Sequence, residues 1–174
     1  MGPRVDEFWL SEHDFLVPVR LDIKRRNRWL GPQKTGRTWD DEERQTVEHV
    51  RWKQSNQAHE ISYQEVPPSQ TVGRSADGAA TANDPVSLTV CRIQPGHLTW
   101  ERHGGVEWEH VFQSGETSTS IMEVPGAGSI EVRLKTRNLR IIVDKAGGTI
   151  EVAYDMTISD VTQYIELTMR FKRT

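Results

Sequence analysis

Between Leu98 and Phe112 the chain carries the side chains best suited to chemistry: Trp100, Arg102, Trp108, His110 and Phe112, spaced around a Gly104-Gly105 pair. Two indoles, a benzyl ring and a guanidinium on one face suit binding better than reaction. The rings would hold an apolar body, and the guanidinium would grip a carboxylate or phosphate end. Tyr154 and Met156, from a later stretch, would join the same wall. The plainer alternative is an ordinary core in which Arg102 reaches water at the rim and His110 is satisfied by a hydrogen bond. An axial haem ligand would need a second ligand or a haem motif, and neither accompanies His110. Catalysis has thin support, since no nucleophile elbow, metal-ligand spacing or phosphate-cradling glycine loop occurs. An enzyme reading requires His110 to meet a carboxylate inside the fold, whereas Glu101, Glu107 and Glu109 fall on the opposite face. No catalytic residue, metal or cofactor is therefore assigned.

Such residues converge only if strands carry them. From Ser129 to Phe171 apolar side chains occupy alternate positions: Ile130, Val132, Leu134; Ile150 through Ile158; Ile165, Leu167, Met169, Phe171. A period of two is that of strands with one dry face, and short turns between them make an antiparallel meander. Arg137-Asn138 reads as a bulge in the longest strand, and Gly147-Gly148 as a turn. Further strands are expected at Val17–Asn27, Arg44–Lys53, Ala58–Val66, with Val86, Leu88 and Val90 alternating in another, and at Glu116–Val124, whose first half is all Ser and Thr. In the 97–112 hairpin a three-residue turn, His103-Gly104-Gly105, aligns Leu98, Trp100, Arg102, Val106, Trp108, His110 and Phe112, and sets Glu101 against Glu107. About eight to ten such strands in 174 residues must manage their edges, and closing the sheet removes them.

The ends and surface are less informative. Residues 1–16 do not alternate; Ser11-Glu12-His13-Asp14 outlines a short helical turn that Pro18 would stop. Phe8, Trp9 and Leu10 would pack outside the main body or plug one end of it. Residues 67–85, rich in Ser, Gly, Ala, Pro and Thr, read as a long mobile loop. Net charge is -3 and no window approaches a membrane span, so nothing global attracts a membrane or nucleic acid. The basic run Lys24-Arg25-Arg26-Asn27-Arg28 reads as a solvated strand end with no aromatic platform spaced around it. Arg133, Lys135 and Arg137 form an outward stripe, a candidate surface for an acidic protein or nucleic acid. One cysteine and no secretory pattern make a cytoplasmic location the expectation.

The order of motifs resembles the YwiB-like family. The residues that carry the likeness are Arg102-His103-Gly104, Phe112 with Gly115, the Pro125/Gly128 turn, Lys135-Thr136-Arg137-Asn138-Leu139, and Gly147-Gly148-x-Ile150-x-Val152-x-Tyr154-Asp155. The likeness is good over about 86–172, weaker over 17–66, and absent from 1–16 and 67–85. It implies a small bacterial protein of unknown function with a calycin-like (lipocalin-like) barrel, and no catalytic residues. The expectation is a single all-β domain over 17–174, an up-and-down meander closed into a barrel, with 1–16 as an extension. A small apolar or amphipathic ligand inside the barrel is the leading function. An interaction module using the outer basic stripe and an enzyme using the interior are the alternatives.

Overall fold

The computed structural model describes residues 7–30, 39–65 and 87–174. Ten strands make one antiparallel sheet: β1 (Phe15–Leu30), β2 (Asp41–Ser55), β3 (Ala58–Glu65), β4 (Ser87–Gln94), β5 (His97–His103), β6 (Trp108–Phe112), β7 (Thr117–Val124), β8 (Gly128–Val143), β9 (Gly147–Ile158) and β10 (Val161–Arg173). Their order, β6-β5-β4-β3-β2-β1-β10-β9-β8-β7, is a meander whose first and last strands bond through the β1–β10 pair. Among the described residues there is no helix, and the expected turn at Ser11–Asp14 is absent. The 67–85 loop expectation lies outside the described residues.

The sheet curls until β6 and β7 meet, and the way they meet explains the Ser/Thr run of β7. A main-chain bridge joins Glu107 and Glu123 (N···O 3.0 and 2.8 Å), but no further ladder follows. Instead Ser118 Oγ donates to the Val111 carbonyl at 2.9 Å, and Ser120 Oγ shares a 2.8 Å bond with His110 Nδ1. Short hydroxyl side chains thus satisfy the edge groups that a missing neighbour strand would otherwise leave open. The barrel is nearly closed, with side chains completing the seam.

Alternation decides what fills it. Val19, Leu21, Val50, Trp52, Ile61, Cys91, Ile93, Leu98, Phe112 and the inward rows of β8, β9 and β10 are buried together. Burying a side chain of Leu or Phe size stabilises by about 1.5–3 kcal/mol, so this core drives closure. A bulge between Thr136 and Asn138 keeps Leu139, Ile141 and Val143 on the inner face after Val132, Leu134 and Thr136. Positive φ at His49 (59°) lies where the β1–β2 register shifts, so Val47 rather than Glu48 resumes the inner row.

Three expectations need correction. Gly147-Gly148 is not the turn: Asp144 Oδ1 accepts from the N–H groups of Ala146 and Gly147, and β9 begins at the glycines. Glycine is required at 148 because a Cβ there would sit 2.5 Å from Cζ of Phe171. In β4 the buried set is Ser87, Thr89, Cys91 and Ile93, while Leu88 is exposed and Val90 half-buried. Pairing of Cys91 with both Ile61 and Trp100 fixes that parity, overriding the Val86/Leu88/Val90 pattern. In the hairpin Arg102 faces Trp108 and Glu101 faces Glu109, so residues 103–107 form a five-residue loop with Gly104 and Gly105 at positive φ. The slip from the expected pairing is two residues, and an even slip leaves the paired side chains on their expected face, while Val106, expected on the inner face, lies in the loop.

Candidate functional site

The barrel has two ends. The lower end holds the start of β1, the end of β2, the start of β3 and the ends of β8 and β10. Residues 7–14 cross it: Trp9 N bonds the Val143 carbonyl on β8 at 2.9 Å, and the Trp9 carbonyl accepts from His59 Nε2 on β3 at 2.6 Å. His59 Nδ1 in turn accepts from Trp52 Nε1 at 3.0 Å, which fixes its tautomer. Gln54 completes the clasp, accepting from Ser11 N and donating to the Ser11 carbonyl. Phe15 and Phe171 pack on Trp52 with ring centroids 5.1 and 5.0 Å away.

The upper half gathers the residues singled out from the sequence. Strand tilt lets β1, β5, β6 and β9 contribute to one level. Trp100 and Trp108 meet edge to face at 5.0 Å, Trp108 stacks on His110 at 4.2 Å, and Phe112 touches Tyr154 at 4.7 Å. Met156 is inward on β9, two residues above Tyr154, and packs against the core. Arg102 lies half-buried near the rim and donates through Nη2 to Ser87 Oγ at 3.3 Å. His110 is buried, and burial lowers its pKa to about 4 against a smaller raising effect from a main-chain bond at Glu109. It is therefore neutral at ordinary pH. Among the described residues no carboxylate bonds its ring.

Sequence reasoning missed Arg25. The basic run looked like a strand end, yet the alternation Val17, Val19, Leu21, Ile23 continues inward to Arg25 and Asn27. The Arg25 guanidinium lies against the hydroxyl of the fully buried Tyr154, whose pKa burial pushes up to about 12 despite the opposing pull of that cation. Among the described residues Arg25 has no carboxylate at ion-pair distance, and its cross-strand neighbour Glu43 is exposed. Among the described residues three polar atoms of the upper half are buried without a partner: Thr136 Oγ1 and Asn27 Oδ1 close to this pair, and Trp100 Nε1 on β5. Thr136 is 1% exposed and lies directly opposite Tyr154. Among the described residues no cluster of three or more His, Cys, Asp or Glu could hold a metal ion.

Arg133, Lys135 and Arg137 do point outward from β8. The basic run of β1 does not lack an aromatic platform: Trp39 and Tyr164 lie beside Arg26 and Arg28, brought there by the chain after residue 38 and by β10.

With this geometry in view, the match to known proteins is informative. The family model described as a domain of unknown function, DUF1934, matches residues 33–169. The chain belongs to the DUF1934 family. The crystal structure of the ywiB protein from Bacillus subtilis superposes with a TM-score of 0.67 at 18% identity, covering 91% of this chain and 93% of that one. The DUF1934 chain is thus YwiB-like, and what the superposition shows is a shared fold. No curated protein matches it in sequence.

Proposed function

We propose that the upper half of the barrel binds a small amphipathic molecule, its apolar body against Trp100, Trp108, Phe112 and Met156 and its anionic end at Arg25. The observation that carries this reading is Arg25 itself: an inward guanidinium beside a buried tyrosine hydroxyl, with no carboxylate to neutralise it among the described residues. A cation inside an apolar fold costs several kcal/mol unless a partner or water compensates it, so an unneutralised one fits a site completed by an anion. The partnerless atoms agree, because Thr136 and Trp100 both offer hydrogen-bond donors, as an oxyanion requires. Arg102, nearer the rim, supplies a second positive charge that favours entry of an anion from that end.

The test compares dodecanoate with dodecanol, read by tryptophan fluorescence. The carboxylate should bind at least tenfold more tightly than the alcohol, and Arg25→Met should erase that preference while leaving alcohol binding unchanged. Equal affinities in the unaltered protein, or no response to either probe, would refute the reading. Native mass spectrometry of gently purified protein gives an independent check through any retained molecule.

A further inference from the structure

The outer wall carries a second set of cations and rings, facing away from the interior. Arg28, Tyr164, Asp155 and Lys135 fall in one row across β1, β10, β9 and β8, a span of about 14 Å at the usual strand spacing. Next to this row stands a column of planes. The Arg26 guanidinium lies 4.1 Å from the Trp39 ring centroid, Trp39 stacks on Tyr164 (6.0 Å, 23°), and the Arg137 guanidinium lies 4.8 Å from Tyr164. Arg28 flanks both rings, at 5.6 and 5.1 Å.

How these cations are occupied separates the partners the wall could take. The edge of Arg26 is spent on Glu166, through Nε at 3.1 Å and Nη2 at 2.8 Å. Arg137 donates through Nε to Asp155 Oδ2 at 3.0 Å, with Nη2 at ion-pair distance (3.0 Å) from Oδ1. A guanidinium with one edge engaged still offers its flat face, which suits a nucleobase. Arg28, Arg133 and Lys135 are exposed and, among the described residues, in no ion pair, so they carry charge free to meet phosphates. Beside Arg133 a shallow depression of about 560 Å³ is lined by Ser129, Thr157 and Ser159; Ser129 Oγ is held by Glu123 and Thr157 Oγ1 by Thr162, so Ser159 is the hydroxyl left to meet a sugar or phosphate oxygen. Glu131 and Asp160 border the same depression and limit how far an anion can extend there.

We propose that this wall, built from β1, β10, β9 and β8, binds single-stranded nucleic acid, with bases on the outer faces of Arg26 and Arg137 and phosphates on Arg28, Arg133 and Lys135. The whole chain carries a net charge of -3, so attraction is local to this wall and falls quickly with salt. An acidic peptide is the competing partner and is disfavoured because the two best-ordered guanidinium edges are already filled.

The test is fluorescence anisotropy of labelled twelve-residue oligothymidylate and oligouridylate, with a duplex of equal length and poly-glutamate as comparisons. Single strands should bind best, and log affinity should fall against log salt with a slope of about -2 for three phosphate contacts. Replacing Arg28, Arg133 and Lys135 together by Gln should weaken single-strand binding at least tenfold while the thermal midpoint stays put. Arg137→Lys keeps the charge and removes the plane, so it should weaken binding several-fold without changing the salt slope. Equal or tighter duplex binding, capture of poly-glutamate in place of the oligonucleotides, or indifference to the triple substitution would overturn the proposal. Arg25→Met should leave this binding intact, which keeps failure here distinct from failure of the interior site.

Discussion

The clasp at the lower end and the level around Arg25 in the upper half treat buried polar atoms differently. Below, each polar side chain of the clasp has a partner: the indole of Trp52 donates to His59, His59 donates to the Trp9 carbonyl, and Gln54 bonds Ser11 on both sides. Above, among the described residues, Thr136 Oγ1, Trp100 Nε1 and Asn27 Oδ1 have none, and Arg25 faces a tyrosine with no carboxylate at ion-pair distance. A buried polar group left unmade costs about 1–3 kcal/mol, whereas a made bond is worth roughly 1. One half therefore spends its polar atoms on holding residues 7–14 across the end. The other leaves several of them unpaired, at a cost to stability.

The largest expected effect breaks the lower half. Trp52 is fully buried and packs on Trp9, Phe15, His59 and Phe171, so Trp52→Ala should destabilise by about 3–5 kcal/mol in denaturant titrations. Retained stability would mean that the clasp is ornamental. Acid comes next. His110 binds its proton less readily when folded than when unfolded, so its contribution is complete above pH 6.5 and is lost as pH falls towards 4. That loss is on the order of 3 kcal/mol, and His110→Asn should remove this part of the pH dependence of stability. His59 is lowered too, by burial opposed by its bond to Trp9, and acts in the same direction over the same side of pH 6.5. A protonated Nδ1 would confront the Trp52 N–H, so acid should expose the 7–14 segment to hydrogen exchange before the upper strands. Simultaneous exchange would erase that contrast. The smallest effect has the opposite sign. Thr136→Val replaces an unpaired hydroxyl with a methyl group and should leave stability unchanged or raise it by about 1 kcal/mol, yet weaken dodecanoate binding. Clear destabilisation by this change would show that the hydroxyl is bonded after all.

Legibility followed the strength of alternation. In β9 and β10 the inward apolar rows were readable, because Ile150 to Ile158 and Ile165 to Phe171 alternate without interruption. The hairpin face was readable although its register was not, since loop length sets pairing while parity alone sets the face. In β4 small and polar residues, Ser87 and Thr89, face inward while Leu88 faces out, so hydrophobicity pointed the wrong way. Arg25 hid for a related reason: a charge at an inward position looks like the end of a strand until the strand is seen to run on to Leu30. The Ser/Thr run of β7 carried a signal, but its meaning depends on lying beside β6, which no local pattern conveys.

The amino-acid order alone settled that this chain is an all-β meander and which face of its last strands is dry, because a two-residue period is a local property of extended backbone. Which distant residues share a level, Arg25 with Tyr154, Trp9 with His59, Trp39 with Tyr164, was decided only when tilted strands curled into a ring. Closure sets those neighbours through strand tilt and register, and both are collective properties of the whole sheet.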